Sequence, residues 1–213
     1  MPPVRAYAIV AVAVAASALI GTVAANWFIN SGEEDIFAQC RSSSVAGGSG
    51  QIGGPFELVN AKGETVTDKD VITEPSLIYF GYTFCPDVCP FDAVRNADAV
   101  DVLAERGYSA QPVFITIDPE RDTPEVVGDF AYNIHERMIG LTGSPEQIRA
   151  ASQAYRTYYN KQDADDEYYL VDHSTMSYLV LPEHGVVEFF RRDAPAEQIA
   201  DTAACFIDAA KQQ

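Results

Sequence analysis

Basic side chains are scarce in this sequence. Lysine and arginine number 14 against 31 aspartates and glutamates, a formal net charge of −17 over 213 residues. So acidic a chain repels phosphate backbones, which argues against nucleic acid as a partner. The excess suits a basic protein surface, or solubility alone. Histidine occurs three times and cysteine four times. Any site made of imidazole and thiolate is therefore drawn from very few side chains. No internal repeat is present, which argues against a repeat architecture. Hydrophobic residues make up 47% of the chain, enough for a full core and too many for wholesale disorder.

Charge of either sign is missing from residues 6–29, AYAIVAVAVAASALIGTVAANWFI. A helix of that length spans a hydrocarbon core of roughly 30 Å. Arg5 precedes it and Glu33, Glu34 and Asp35 follow it. That asymmetry predicts a cytoplasmic N-terminus and a domain on the outer, periplasmic side of the inner membrane. Trp27 and Phe28 stand where an interfacial aromatic belt is expected. A cleaved signal peptide is the competing reading, because Thr22-Val23-Ala24 and Val23-Ala24-Ala25 both supply small-residue cleavage patterns. Residues 1–30 are expected to form a retained anchor, and either reading exports the domain. Export places the cysteines in an oxidising compartment, where disulfides persist.

Residues 31–55 read as a tether, since residues 41–55 are rich in Ser and Gly. From residue 56 to 213 strand and helix patterns alternate. An N-terminal hairpin is expected around residues 56–67, and a buried strand over 76–82. A long helix follows over 85–105, then a second buried strand inside 111–118. Thr123-Pro124 opens another helix, and Ser144 to Gln147 has capping-box spacing. A hairpin turning at Glu183-His184-Gly185 precedes a closing helix from Pro195. The order implies an α/β sheet with helices on its faces.

Cys85 and Cys89 stand four apart in G-Y-T-F-C-P-D-V-C-P. On a helix that spacing puts both sulfurs on one face, in a first turn whose dipole favours thiolate. Two such thiolates are soft ligands for Cu(I) or zinc, and are also close enough to oxidise to each other. The gap is one residue wider than the Cys-x-x-Cys of thioredoxins. Of the histidines, His135 and His184 read as solvated. His173 lies at the start of an apolar strand, where spacing alone leaves a ligand and a hydrogen-bonded structural histidine equally open.

Three segments occur in order: G-Y-T-F-C-P-D-V-C-P, T-I-D-P-E-R-D-T-P and V-D-H-S-T-M-S-Y-L-V. Together they closely resemble the signature of the Sco/SenC family, from about residue 52 to the C-terminal helix. The resemblance implies a thioredoxin-like fold with an N-terminal β-hairpin, preceded by a single transmembrane helix. Carried over position by position, it makes Cys85, Cys89 and His173 the ligands of one copper ion, as Cu(I), Cu(II) or both. It implies a copper chaperone for the CuA centre of cytochrome c oxidase. The partners would be the CuA-bearing subunit, other copper carriers or thiol reductants, and the membrane, with no nucleic acid. Zinc is the second choice of metal, because two cysteines and a histidine also suit it.

Asp118 matches the aspartate at the end of a family strand. A role beside the ligands stands next to the plainer one of capping a turn. Met176 reads as a packing residue. Cys40 and Cys205 lie outside the family pattern and are candidates for a structural disulfide. Two other functions fit the cysteines. A thiol–disulfide oxidoreductase that reduces the oxidase CuA cysteines needs Cys85 and Cys89 but not His173. A copper or redox sensor needs a conformational output that no sequence feature announces. A peroxidase is disfavoured, since no proline stands at the required distance before Cys85.

Overall fold

The computed structural model describes Ser17, Gly21, Thr22 and residues 35–41, 52–162 and 168–212. Apart from Ser17, Gly21 and Thr22, the expected membrane-spanning segment lies outside these residues, as does most of the Ser/Gly-rich stretch. Among the described residues, no helix is long and apolar enough to cross a membrane. The chain divides into two compact units, Met1–Ile36 and Phe37–Gln213, and every element below belongs to the second.

Chain order is β1 (Glu57–Asn60), β2 (Thr65–Thr67), α1 (Asp68–Val71), β3 (Ser76–Gly81), α2 (Val88–Glu105), β4 (Gln111–Thr116) and α3 (Pro124–Ile134). It continues with β5 (Ile139–Thr142), α4 (Pro145–Ala154), β6 (Tyr159–Lys161), β7 (Val171–His173), β8 (Ser177–Leu181), β9 (Gly185–Phe190) and α5 (Ala196–Ala210). Seven strands form one sheet in the order β2-β1-β5-β4-β3-β8-β9. The inner strands β3, β4 and β5 are parallel, and β1 and β8 flank them antiparallel. Every residue of β3 and β4 is buried, as the continuous apolar runs require of strands covered on both faces. The result is a mixed α/β, thioredoxin-like fold whose N-terminal hairpin, β1 to β2, pairs onto β5.

Local signals explain most boundaries. Thr123 caps α3 by accepting a hydrogen bond from the Val126 amide at 3.3 Å, with Pro124 in the first position. Ser144 and Gln147 close the capping box of α4. The helix over the cysteines differs from expectation. It starts at Val88, so Cys85 stands in the loop before it rather than in its first turn. Its buried face begins with small and polar side chains, Ala93, Asn96 and Ala97 among them, and turns apolar at Val100 and Leu103, while Phe91 and Val94 are exposed. Small residues let this part of α2 approach its neighbours closely.

Two further features escape the sequence pattern. Strands β6 and β7 pair only with each other, as a two-stranded ribbon apart from the main sheet. At the N-terminal end of β3, Cys40 is disulfide-bonded to Cys205, with Cα atoms 5.6 Å apart. Phe37 packs there on Phe206 and, edge-on, on His184, with ring centroids 5.2 and 5.1 Å apart. The Ser76↔Val180 pairing puts the β8–β9 turn, and this apolar cluster, at the end of β3 away from Gly81.

Candidate metal centre

The site is built at the other end of β3, where the chain leaves Gly81 for the cysteine loop. Gly81 is required there by closeness rather than by conformation. A Cβ at this position would lie 2.8 Å from a ring carbon of Tyr79, 3.1 Å from Cys89 Sγ and 3.1 Å from a ring carbon of Phe114. The loop then passes Tyr82, Thr83 and Phe84 to Cys85, and α2 opens with Cys89 in its first turn.

Cys85 and Cys89 are both unbonded and buried. The Cys89 amide donates to Cys85 Sγ at 3.3 Å, so the sulfur of Cys85 sits against the N-terminus of α2. The dipole argument therefore survives with a different geometry: Cys85 receives the helix amides from in front rather than from within. Its thiol is pulled well below the usual range, first by a hydrogen bond from the Cys89 side chain, then by the Asp87 and Cys89 amides and by His173, against the opposing effect of burial. The Cys89 thiol is pushed up, by its hydrogen bond to Cys85 and by complete burial. The two thiols are thus of unequal acidity, Cys85 being the more acidic. Asp87 occupies the N-cap position of α2 without a side-chain cap bond.

His173 comes from the end of β7. Its Nε2 lies 3.2 Å from Cys89 Sγ, and its Nδ1 lies 2.8 Å from the Ser174 carbonyl oxygen. A carbonyl only accepts, so the Nδ1 proton goes to Ser174, and Nε2 is the nitrogen that faces the cysteines. The ring is held edge-on to Tyr79 and Tyr82, with centroids 6.2 and 5.9 Å away. The ligand atoms of Cys85, Cys89 and His173 all lie within 4.8 Å of one another. Two sulfurs and one nitrogen converging at that distance form a donor set for a soft ion. Orientation of the imidazole through its second nitrogen is what metal-ligating histidines commonly show.

Two buried carboxylates close to the site, Asp92 and Asp122, are paired. Tyr79 donates its hydroxyl to Asp92 Oδ2 at 3.0 Å, and Asp92 meets Arg95 at 2.9 Å. Asp122 is wholly buried and fastens the cysteine loop to β4. It accepts from the Thr83 amide at 2.9 Å and from the Thr83 and Thr116 hydroxyls at 2.5 Å each. Burial raises the pKa of Asp122, and these hydrogen bonds oppose the rise.

Asp118 is also buried. Its two oxygens accept from the Tyr169 hydroxyl at 2.6 Å and from Arg121 Nε at 2.5 Å. Met176 lies in the connection between β7 and β8 and is 38% exposed, because β7 ends at His173 and no continuous strand sets its face. His135 pairs with Asp101 at 3.1 Å and His184 packs on Phe37, so neither joins the centre. Asp122, Arg121 and Tyr169 are the residues that sequence reasoning passed over. The first two stand inside T-I-D-P-E-R-D-T-P, whereas nothing in the sequence singles out Tyr169.

The SCO1/SenC family model matches residues 45–208. This chain belongs to the SCO1/SenC family. It is 55% identical to Protein SenC of Rhodobacter capsulatus over 177 residues, covering 83% of this chain and 80% of that protein. The crystal structure of Arabidopsis thaliana ScoI with copper bound superposes with a TM-score of 0.70 at 40% identity, covering 76% of this chain and 99% of the other. Yeast Sco1 with copper bound gives a TM-score of 0.68 at 32% identity, with 76% and 90% covered. The SCO1/SenC motifs quoted above lie in the cysteine loop, at the end of β4 and across β7 to β8, the three segments that build the centre.

Proposed function

We propose that this protein is a copper chaperone that delivers copper to the CuA centre of cytochrome c oxidase. The observation that carries the reading is the convergence of Cys85, Cys89 and His173 within 4.8 Å in a member of the SCO1/SenC family. Relatives of the same fold have been solved with copper bound. The residues fit the ion as cargo. Two thiolates and an imidazole satisfy Cu(I) in three-coordinate form, and leave room for a fourth ligand on Cu(II). Cys85 is the more acidic of the two thiols, and binding of the ion would release the protons that the thiols carry. An under-coordinated centre is also one from which an acceptor thiolate can take the ion through shared-ligand exchange.

The acceptor in this reading is the CuA-bearing subunit, with other copper carriers and thiol reductants as further partners. Residues 1–30 hold the chain on the inner membrane with its N-terminus cytoplasmic, so that the domain works on the periplasmic side. The charge-free segment at 6–29 and its flanking charges support that placement.

Copper stoichiometry with X-ray absorption on the reduced protein tests the reading. One copper per chain is expected, with two sulfurs and at least one nitrogen. Binding is lost in Cys85→Ser or Cys89→Ser, and the nitrogen is lost in His173→Ala. A fully reduced protein that takes up no copper would overturn the reading. The second reading, a thiol–disulfide oxidoreductase acting on the CuA cysteines, is favoured by the unbonded state and unequal acidity of Cys85 and Cys89. His173→Ala separates the two, since dithiol exchange survives the substitution and copper delivery does not.

A further inference from the structure

The loop after β4 holds the two halves of the centre by two different devices. Near its end, Asp122 fastens the cysteine side through the Thr83 amide and hydroxyl. Its middle reaches the histidine side. Arg121 lies with its guanidinium carbon 3.6 Å from the ring centroid of Tyr169, the segment that runs into β7, and 4.9 Å from that of Phe84, the residue before Cys85. Asp118 completes the arrangement by accepting from both Arg121 Nε and the Tyr169 hydroxyl. Arg121 and Asp118 are largely buried, with side chains 12% and 4% exposed.

This matters because His173 is not carried by the main sheet. Strand β7 pairs only with β6, and its contact with the cysteine loop includes a single longer hydrogen bond, Val171 N–H to Tyr82 Oη at 3.3 Å. The histidine ribbon therefore needs another fastening to the loop that bears Cys85, and the stack of Arg121 between loop and ribbon supplies it. Only a planar cation suits the position: it offers Nε to a carboxylate while its faces lie on aromatic rings.

We propose that Arg121 is a positioning residue for His173, acting through Tyr169 to keep the imidazole engaged, with no comparable effect on the two cysteines. The inference rests on the copper reading above. Loosening this latch leaves copper on two sulfurs and speeds its departure.

The test uses the full-length chain carrying Arg121→Lys, which keeps the charge opposite Asp118 but removes the planar face. With copper bound, the variant loses nitrogen coordination by X-ray absorption. It releases Cu(I) to a bidentate chelator about tenfold faster, a factor equal to about 1.4 kcal/mol. In a His173→Ala background the same substitution adds nothing, because the group it positions is gone. Tyr169→Leu, which removes the ring while leaving Arg121 in place, reproduces the effect. Unchanged coordination and release in both variants would overturn the proposal. So would an equal effect with and without His173, since that assigns Arg121 to the cysteines. A wild-type chain that takes up no copper sinks the chaperone reading instead, and is told apart by that control.

Discussion

The two cysteine pairs sit at opposite ends of β3 and have opposite fates. Cys40 and Cys205, 165 residues apart in sequence, are bonded; Cys85 and Cys89, four apart, are not. Separation decides much of what each can contribute. Cross-linking a long loop removes a great deal of freedom from the unfolded chain, worth about 2–5 kcal/mol, whereas a loop of a few residues has little to remove. Surroundings decide the rest. The bonded pair lies beside the Phe37–Phe206 cluster, where a disulfide adds to an apolar closure. The unbonded pair has helix amides, an imidazole and two tyrosines around it, all groups that steady a thiolate or the ion it binds. One residue type thus serves as a staple at one end and as a ligand at the other.

The comparison breaks first if the two pairs can be exchanged in effect. Cys89→Ser is expected to lower copper affinity by more than about a hundredfold, on the scale of losing a whole ligand. Its melting temperature should change by only a few degrees, because a small buried group is replaced by one of similar size. Cys40→Ser with Cys205→Ser is expected to do the reverse. A loss of about 2–5 kcal/mol lowers the melting temperature by about 5–15 °C, with copper stoichiometry unchanged. Calorimetry and copper titration on both variants check this. If removal of the disulfide also abolished copper binding, the two ends would be one cooperative unit and the contrast would fail.

A smaller effect tests why the metal end is built around a glycine. Gly81→Ala forces a methyl group against Tyr79, Phe114 and Cys89 Sγ, all within 3.1 Å of the new carbon. The expected cost is about 1–3 kcal/mol of overpacking, read by denaturant unfolding. Copper affinity falls as well, because Cys89 is one of the three groups displaced. An alanine that left both unchanged would show that the close approach at Gly81 is slack.

How much of this was legible beforehand differs between the two ends. The sheet followed from continuous apolar runs at β3 and β4 and from the caps at Thr123 and Ser144, which are local signals. Cys85 and Cys89 stood out through their spacing and His173 through the family resemblance, and the structure brings those side chains together. The helix start did not: residues 85–87 are compatible with a first turn, yet Cys85 stays outside it, where its sulfur meets the Cys89 amide. Nor did the β6–β7 ribbon, because three-residue strands carry no detectable period. Tyr169 and Arg121 meet only through the ribbon, so no spacing rule could have paired them. The bonded cysteines could be nominated by compartment, but distance needed the fold.

The smallest effect probes how the cysteine loop is held when no ion is present. Thr83→Val removes the hydroxyl that donates to Asp122 while keeping the amide that also does. The lost bond is charge-assisted and partly buried, so a destabilisation of about 1–2 kcal/mol is expected in equilibrium unfolding. Asp122 keeps its partners in the Thr83 amide and the Thr116 hydroxyl, which limits the cost of leaving its carboxylate under-satisfied. Because that carboxylate anchors the loop to β4 rather than touching the sulfurs, copper stoichiometry should stay at the wild-type value. The contrast with the disulfide end is then complete in kind as well as size. At one end a covalent bond fixes distant chain segments; at the other, one buried carboxylate fixes a loop by hydrogen bonds. Loss of copper from Thr83→Val at unchanged stability would instead make this hydroxyl part of the ligand geometry itself.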